Sequence, residues 1–357
     1  MAWFNQLDPT TQFVLLSAAK VVPVAMILLG LVAYTVLAER KICAAMQDRI
    51  GPNRAGPFGI WQPISDAVKA FFKEDFTPDH VRKVYFWLAP AIVMIPALLT
   101  IAVIPFGSQL GQQKMVIADL NVGVLYTFGI VSLGVYGIVL AGYAANSKYP
   151  FMGGIRASAQ MISYEIAMGM SVIPVFLIVG DLNLSRVVGS QAGTVAWLPV
   201  LPNWTVFQSP MLALSFAIFL VAAFAETNRL PFDLPEAEQE LAGGYNIEYS
   251  SIKFALFFMG EYANMIAASA MMVTLFFGGW TLPLFGLDAP ATTLFGGLLH
   301  IGIFVGKVLV MLVIFIWVRW MWPRFRYDQL MDLGWKRMLP VALANIVVTA
   351  AWLWLRA

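Results

Sequence analysis

VGVLYTFGIVSLGVYGIVLAGYAA, residues 122–145, carries no charged side chain, and its reading decides the class of fold. It is longer than the ~20 apolar residues an α-helix needs to cross hydrocarbon, a medium in which only a helix or a closed barrel satisfies its own backbone. Working outward, hydropathy gives segments of the same kind at roughly 12–38, 84–106, 160–179, 211–228, 254–280, 299–321 and 339–355. The chain is therefore expected to be an all-α integral membrane protein of about eight transmembrane helices in a single polytopic domain, with no soluble domain or internal repeat. The polar start (Asn5, Gln6, Asp8) lacks the basic region of a secretory signal, and the first segment is too long for one, so it reads as a true span.

Composition agrees with this reading. The 357 residues are 60% hydrophobic and 12% charged, against roughly 25% charged in a soluble domain, and a soluble core cannot shelter so much apolar surface. The net charge of +2 excludes a nucleic-acid binder working through a basic surface. Cysteine occurs once, at Cys43, and histidine only at His80 and His300. That leaves no disulfide frame, zinc cluster, iron–sulfur centre or haem pair, so no metal or redox cofactor is expected on this chain.

Basic residues predict the orientation. Loop 39–83 holds Arg40, Lys41, Arg49, Arg54, Lys69, Lys73, Arg82 and Lys83; loop 146–159 holds Lys148 and Arg156; loop 229–253 holds Arg229 and Lys253. Arg319, Arg324, Arg326, Lys336 and Arg337 lie in or beside loop 322–338, whereas the opposite face has only Lys114, Arg186 and Arg356. Both termini are thus expected on the outer side, with the long polar loops facing the cytoplasm or matrix. Pro23, Pro96 and Pro174 fall inside spans, where kinks are expected and neighbouring helices absorb the freed carbonyls.

Acidic residues depart from this pattern. Segment 226–248 carries Glu226, Asp233, Glu236, Glu238, Glu240 and Glu248 with only Arg229 to offset them. One reading is a solvated acidic loop that docks a basic partner. Yet Leu230, Pro231, Phe232, Leu234, Leu241 and Tyr245 are interleaved with the acids, and acids held against apolar groups titrate high and together, as a proton relay requires. Glu165 stands near the inner end of the fourth span, Glu226 closes the fifth, and Glu261 lies roughly 10 Å into the sixth. An ionisable group in hydrocarbon costs several kcal/mol and marks an ion or proton path unless it snorkels or is paired. Lys307 could be a partner or a relay member, Lys20 could snorkel, and His300 reads as structural.

In the first inner loop Trp61, Ile64, Val68 and Phe71 recur at helical spacing, with Asp66, Lys69 and Lys73 on the other face. This predicts an amphipathic interfacial helix that starts near Pro63, after the turn-rich Gly51–Pro57 stretch. Such a helix is either an anchor or the wall of a slot that admits a long-tailed, lipid-soluble ligand.

Four segments carry a closer resemblance. They are Glu39-Arg40-Lys41 leading into Gln47-Asp48-Arg49-Ile50-Gly51-Pro52-Asn53-Arg54; Gln62-Pro63 through Asp66-Ala67-Val68-Lys69 to Lys73-Glu74; Glu226-Thr227-Asn228-Arg229-Leu230-Pro231-Phe232-Asp233-Leu234 on to Glu248-Tyr249-Ser250-Ser251; and Pro323-Arg324-Phe325-Arg326-Tyr327-Asp328-Gln329-Leu330-Met331. Ser147-Lys148-Tyr149 and Ala159-Gln160-Met161-Ile162-Ser163-Tyr164-Glu165 add to them. With these, nearly the whole chain resembles the family of H-type membrane subunits of NADH–quinone oxidoreductase, respiratory complex I. The resemblance implies a position at the junction of membrane and peripheral arms, where the family forms much of the passage for quinone, the substrate. Arg40, Arg49, Asp66, Lys69 and Arg319 would line or flank that passage. Glu165, Glu226, Asp233, Glu236, Glu240, Glu248 and Glu261 would match positions tied to quinone-coupled proton transfer. It further implies peripheral-arm quinone-site subunits and neighbouring membrane-arm subunits as partners, with the flavin (FMN) and iron–sulfur clusters carried by partners and not by this chain. A bacterial plasma membrane fits better than a mitochondrial inner membrane, since no transit peptide is evident. Rival readings are a stand-alone proton-coupled transporter, a structural anchor, and the equivalent component of a membrane-bound hydrogenase, which uses no quinone.

Overall fold

The computed structural model describes residues 8–111, 113–195, 198–234, 243–283 and 286–356. Helix α1 (Pro9–Met46) starts on Asp8, whose carboxylate accepts the Thr10 N–H at 3.2 Å, with Pro9 in the first turn. Its 38 residues span about 57 Å, well beyond the ~30 Å of hydrocarbon, so its last turns carry Glu39, Arg40 and Lys41 past the apolar zone. Helix α2 (Gln62–Phe72) is the expected amphipathic helix, and Ile64, Val68 and Phe71 remain exposed on it. There follow α3 (Lys83–Thr100), α4 (Gly123–Ala144), α5 (Lys148–Val179), the short α6 (Leu184–Ser190) and α7 (Thr205–Gln208), α8 (Pro210–Glu226), α9 (Ser251–Phe276) and α10 (Leu294–Met321). Helix α11 (Tyr327–Asp332) runs through a π-helical turn (Leu333–Met338) into α12 (Leu339–Arg356). Two small antiparallel hairpins, Gln109–Leu110 with Gln113–Lys114 and Thr194–Val195 with Leu198–Pro202, lie on the face opposite α2.

Seven helical runs are long and apolar enough to cross a membrane, and the eighth expected crossing is the 17-residue α8, about 26 Å long. The chain is an all-α multi-pass membrane protein. Besides α1, which runs on to Met46 rather than ending at 38, two stretches differ from the sequence expectation. Helix α5 begins at Lys148 rather than 160, so the expected loop 146–159 shrinks to a turn through Asn146, whose φ is 49°. Residues 327–338, expected as loop, are helical and continue into the last span. Both stretches carry charges, which lower the hydropathy without breaking the helix.

Helix α5 packs against α4, α8 and α12, while α9 bridges α3 to α1 and α10. The α4–α5 contact is as close as small residues allow: a Cβ on Gly142 would lie 2.5 Å from the Pro150 carbonyl oxygen. Tyr164, Phe219, Tyr262, Phe276 and Phe315 belong to one large buried cluster; a smaller one beneath residues 244–250 stacks Phe86 on Tyr249 with centroids 4.1 Å apart. Val22 and Met26 of α1 and Phe295 and Leu298 of α10 point outward, as lipid-facing residues do. Lys307 proves to be an end-cap: its ammonium donates to the carbonyls of Phe277, Gly279 and Thr281 at 2.7, 3.0 and 2.7 Å, beyond the end of α9. His300 is structural, bonded to Ser108 at 2.7 Å and stacked on Trp280.

Candidate functional site: a buried charge network opening on a cavity

The site begins where α8 ends. Asn228 takes the left-handed conformation (φ 50°), which Asn tolerates at a helix terminus, and the Arg229 N–H bonds back to the Phe224 carbonyl at 3.1 Å. The Gln160 amide of α5 holds the turn by donating to the carbonyls of Ala225 and Phe232, each at 2.8 Å. The Phe325 N–H donates to the Pro231 carbonyl at 3.1 Å from the other side. Held this way, Arg229 points into the bundle and is 4% exposed.

There Arg229 meets residues from two helices, α1 and α9. Its Nε lies 2.8 Å from a Glu261 carboxylate oxygen, and one terminal nitrogen lies 3.4 Å from each oxygen of Glu39. The guanidinium stacks over the Tyr262 ring at 4.1 Å. Tyr262 donates its hydroxyl to Glu39 at 2.6 Å, and Arg319 bonds the other Glu39 oxygen. Alongside, Arg324 pairs with Asp233 at 3.0 Å. Buried charges persist only when paired, and here Glu39, Glu261 and Asp233 are matched by Arg229, Arg319 and Arg324. Burial pushes the Asp233 carboxyl above the usual range, with Arg324, Arg319 and Arg229 pulling it back. Burial works against the charge on Arg229, but Glu261, Tyr262 and Glu39 outweigh it and hold the guanidinium protonated.

Glu226 is also buried, yet neither of its carboxyl oxygens has a hydrogen-bond partner among the described residues. It lines two small cavities, of about 40 and 20 Å³, together with Thr227 and Asn264, and Glu261 lines the smaller. Each is roomy enough for a water beside a polar wall. Ser132 donates to Glu165, which is near enough to Glu226 for the two like charges to act on one another.

On its other side the network opens on a cavity of about 570 Å³ at the α2-side ends of α1, α9 and α10. Glu39, Arg40, Arg49, Tyr262 and Arg319 supply its polar lining, and Val36, Ile50, Phe258 and Trp320 its apolar part. Arg40 reaches across to Asp66 of α2 at 2.6 Å, and Gln62 donates to the same carboxylate at 2.9 Å. Asp66 and Lys69 in turn line a neighbouring cavity of about 410 Å³ with Tyr249 and Ser251. The Ser251 hydroxyl donates to the Ala70 and Lys73 carbonyls, both at 2.9 Å, and Lys253 reaches Thr77 at 2.8 Å and Asp75 at 3.1 Å. The first turn of α9 thus clasps the end of α2.

The residues singled out from the sequence therefore fall into groups. Arg40, Arg49 and Arg319 share one cavity, with Asp66 and Lys69 beside it. Glu226 and Glu261 share another, Glu165 adjoins Glu226, and Asp233 flanks the network. Glu248 stands apart, 3.8 Å from the half-exposed His80, while Glu236 and Glu240 lie outside the described residues. Glu39, Arg229, Tyr262, Arg324 and Asn264 were not singled out as site residues. The available signal was that Glu39 is the only acid between Asp8 and Asp48, at the end of an apolar span. Among the described residues no three His, Cys, Asp or Glu side chains converge on a metal-sized site.

These features define a polytopic membrane protein whose paired-charge core opens to one surface through a cavity lined by both arginine and apolar side chains. The chain belongs to the NADH dehydrogenase family, whose profile matches residues 19–350. It is similar to an H subunit of the NADH-quinone oxidoreductase of Cytophaga hutchinsonii, with 48% identity over 95% of this chain and 97% of that protein. It is likewise similar to the H subunits of the same enzyme from Rhodospirillum rubrum (47% identity, 98% and 96% covered) and from Rickettsia typhi (49% identity, 94% and 92% covered). The resemblance carried by the motifs is borne out.

Proposed function

We propose that the chain is the membrane subunit of a proton-translocating NADH–quinone oxidoreductase that walls the quinone passage where the peripheral arm docks, and that it couples quinone reduction to proton movement. One observation carries this reading: Glu39, Tyr262 and Arg319 belong at once to the wall of the 570 Å³ cavity and to the buried ion network. A quinone head in that cavity touches the network directly, while Val36, Ile50 and Phe258 offer its tail an apolar wall. Electrons arrive from carriers on partner subunits, and reduction draws protons to the quinone oxygens and alters the charge beside Glu39. A unit charge appearing about 8 Å from a carboxylate, at an effective dielectric near 20, acts on it by roughly 2 kcal/mol, more than tenfold in a proton-binding constant. That suffices to reload one poised acid.

From Glu39 the disturbance passes through Arg229 to Glu261, and then across the small shared cavity to Glu226 and Glu165. Pumping tens of ångströms away needs further acids in neighbouring subunits or a rearrangement of the acidic loop, since the field alone decays too quickly. In this reading the α2 face is cytoplasmic, in a bacterial plasma membrane.

The test is made on the assembled complex. Glu226→Gln leaves assembly intact and lowers coupled turnover by at least about tenfold. Glu261→Gln lowers turnover per assembled complex by as much, while the loss of its pair with Arg229 also lowers the yield. Normal turnover per assembled complex in either variant would remove that residue from the relay. Asp66→Asn and Arg40→Met change the apparent KM for quinone with assembly retained, and unchanged quinone kinetics would take them out of the passage.

A further inference from the structure

On the face opposite α2, α1 stands away from α10 and from the segment after α3, leaving a cleft of about 450 Å³. Val24 and Leu28 of α1, Ile104, Ile266 of α9, and Phe304 and Val308 of α10 make its walls. Water finds no partners on such walls, and an empty void of this size forfeits the dispersion contacts of everything around it. Val22, Met26 and Ile27 on α1 are exposed in a helix that crosses the bilayer, so hydrocarbon chains are the solvent that reaches the cleft.

Its mouth is not neutral. Lys20 lies on the cleft wall, level with the hairpin at 109–114, and its ammonium donates to the carbonyls of Lys114 and Val116 at 3.0 and 3.3 Å. An ammonium has three donors, so one N–H is left over, and no carboxylate among the described residues pairs with it. The nearby ion pairs are complete without it: Lys114 with Asp119 at 2.7 Å and Arg186 with Asp181 at 2.5 Å. Gln113 adds an amide at the same end of the cleft. We propose that this cleft is a binding site for an anionic phospholipid, with one acyl chain between α1 and α10 and the phosphate on Lys20 and Gln113. A zwitterionic lipid fills the apolar part equally well but brings its own cation to a position already occupied by one. The charge at Lys20, not the cleft, selects the headgroup.

The experiment uses the purified complex in phosphatidylcholine vesicles doped with phosphatidylglycerol whose acyl chain bears a photoactivatable diazirine. Labelled peptides are read by mass spectrometry, and a diazirine phosphatidylcholine serves as control. Residues 24–31 and 301–309 are labelled several-fold more by the phosphatidylglycerol; Lys20→Met brings that ratio to about one, and Val305→Trp, which fills the cleft, removes both signals. Should the tryptophan variant fail to assemble, the headgroup ratio in the wild type and in Lys20→Met decides alone. Equal labelling by the two lipids in the wild type overturns the proposal, as does a preference that survives Lys20→Met. Loss of labelling on adding long-tailed quinone assigns the cleft to an isoprenoid chain instead, and a crosslink from it to another protein of the complex assigns it to a protein partner; either overturns the lipid site.

Discussion

Glu39 accepts from Tyr262 and Arg319 and lies 3.4 Å from Arg229, so neutralising it leaves two guanidinium groups to share the remaining acids. Breaking a buried pair from one side costs about 3–5 kcal/mol. Glu39→Gln therefore lowers the unfolding temperature and yield of the assembled complex, and adding Arg229→Gln costs less than its own effect in the wild-type background; strictly additive losses would dissolve the pairing. Asp233 offers a pH test. Its folded value is raised above the ordinary carboxylate range near 4, so its stabilising contribution is complete below that range and is lost as pH rises through the folded value. Asp233→Asn, neutral throughout, should flatten the fall in thermal stability as pH rises above the ordinary carboxylate range, and an unchanged slope would acquit the residue. Glu165, Glu226 and Glu261 were legible in the sequence because an acid inside an apolar run is an anomaly. Glu39 was hidden among the charges that normally close a span, and Tyr262 among the aromatics of a buried helix.

Among the elements, α9 joins the network to the surface helix α2, as α1 does through Glu39 and Arg40. Its first turn clasps α2 through Ser251 and Lys253, its middle carries Glu261 and Tyr262, and the chain beyond its far end is tied down by Lys307. Lys307→Met leaves three carbonyls unsatisfied and should cost on the order of 2–4 kcal/mol of stability while leaving turnover per assembled complex unchanged. A fall in turnover without a fall in thermal stability would restore it to the relay. The amphipathic α2 and the crossings were readable from apolar periodicity. The helical extensions at 148–159 and 327–338 were not, because hydropathy reports the part of a helix that sits in lipid and is silent about turns that emerge from it. One extension ends in the π-helical turn, where Gly334 fits against the Tyr164 ring and Trp335 donates to Ser163 at 2.9 Å. Nothing in the spacing of those residues announced a wider turn.

At the scale of the whole molecule, the basic loops predict one orientation, and the chain's sole cysteine, the buried Cys43, makes it measurable. Arg54→Cys and Arg337→Cys should react with an impermeant maleimide from the same side of sealed vesicles, and Lys114→Cys and Arg186→Cys from the other. Labelling of all four from one side would refute the eight-crossing plan. The arrangement around Glu39 also bears on inhibition. Because one carboxylate serves both the chamber wall and the ion network, a drug designed to press against it confronts a target that cannot mutate there freely: any change that weakens the drug's grip also unbalances the arginines behind it. Resistance is left to arise at Val36, Ile50 or Phe258, where reshaping an oily wall disturbs no charge.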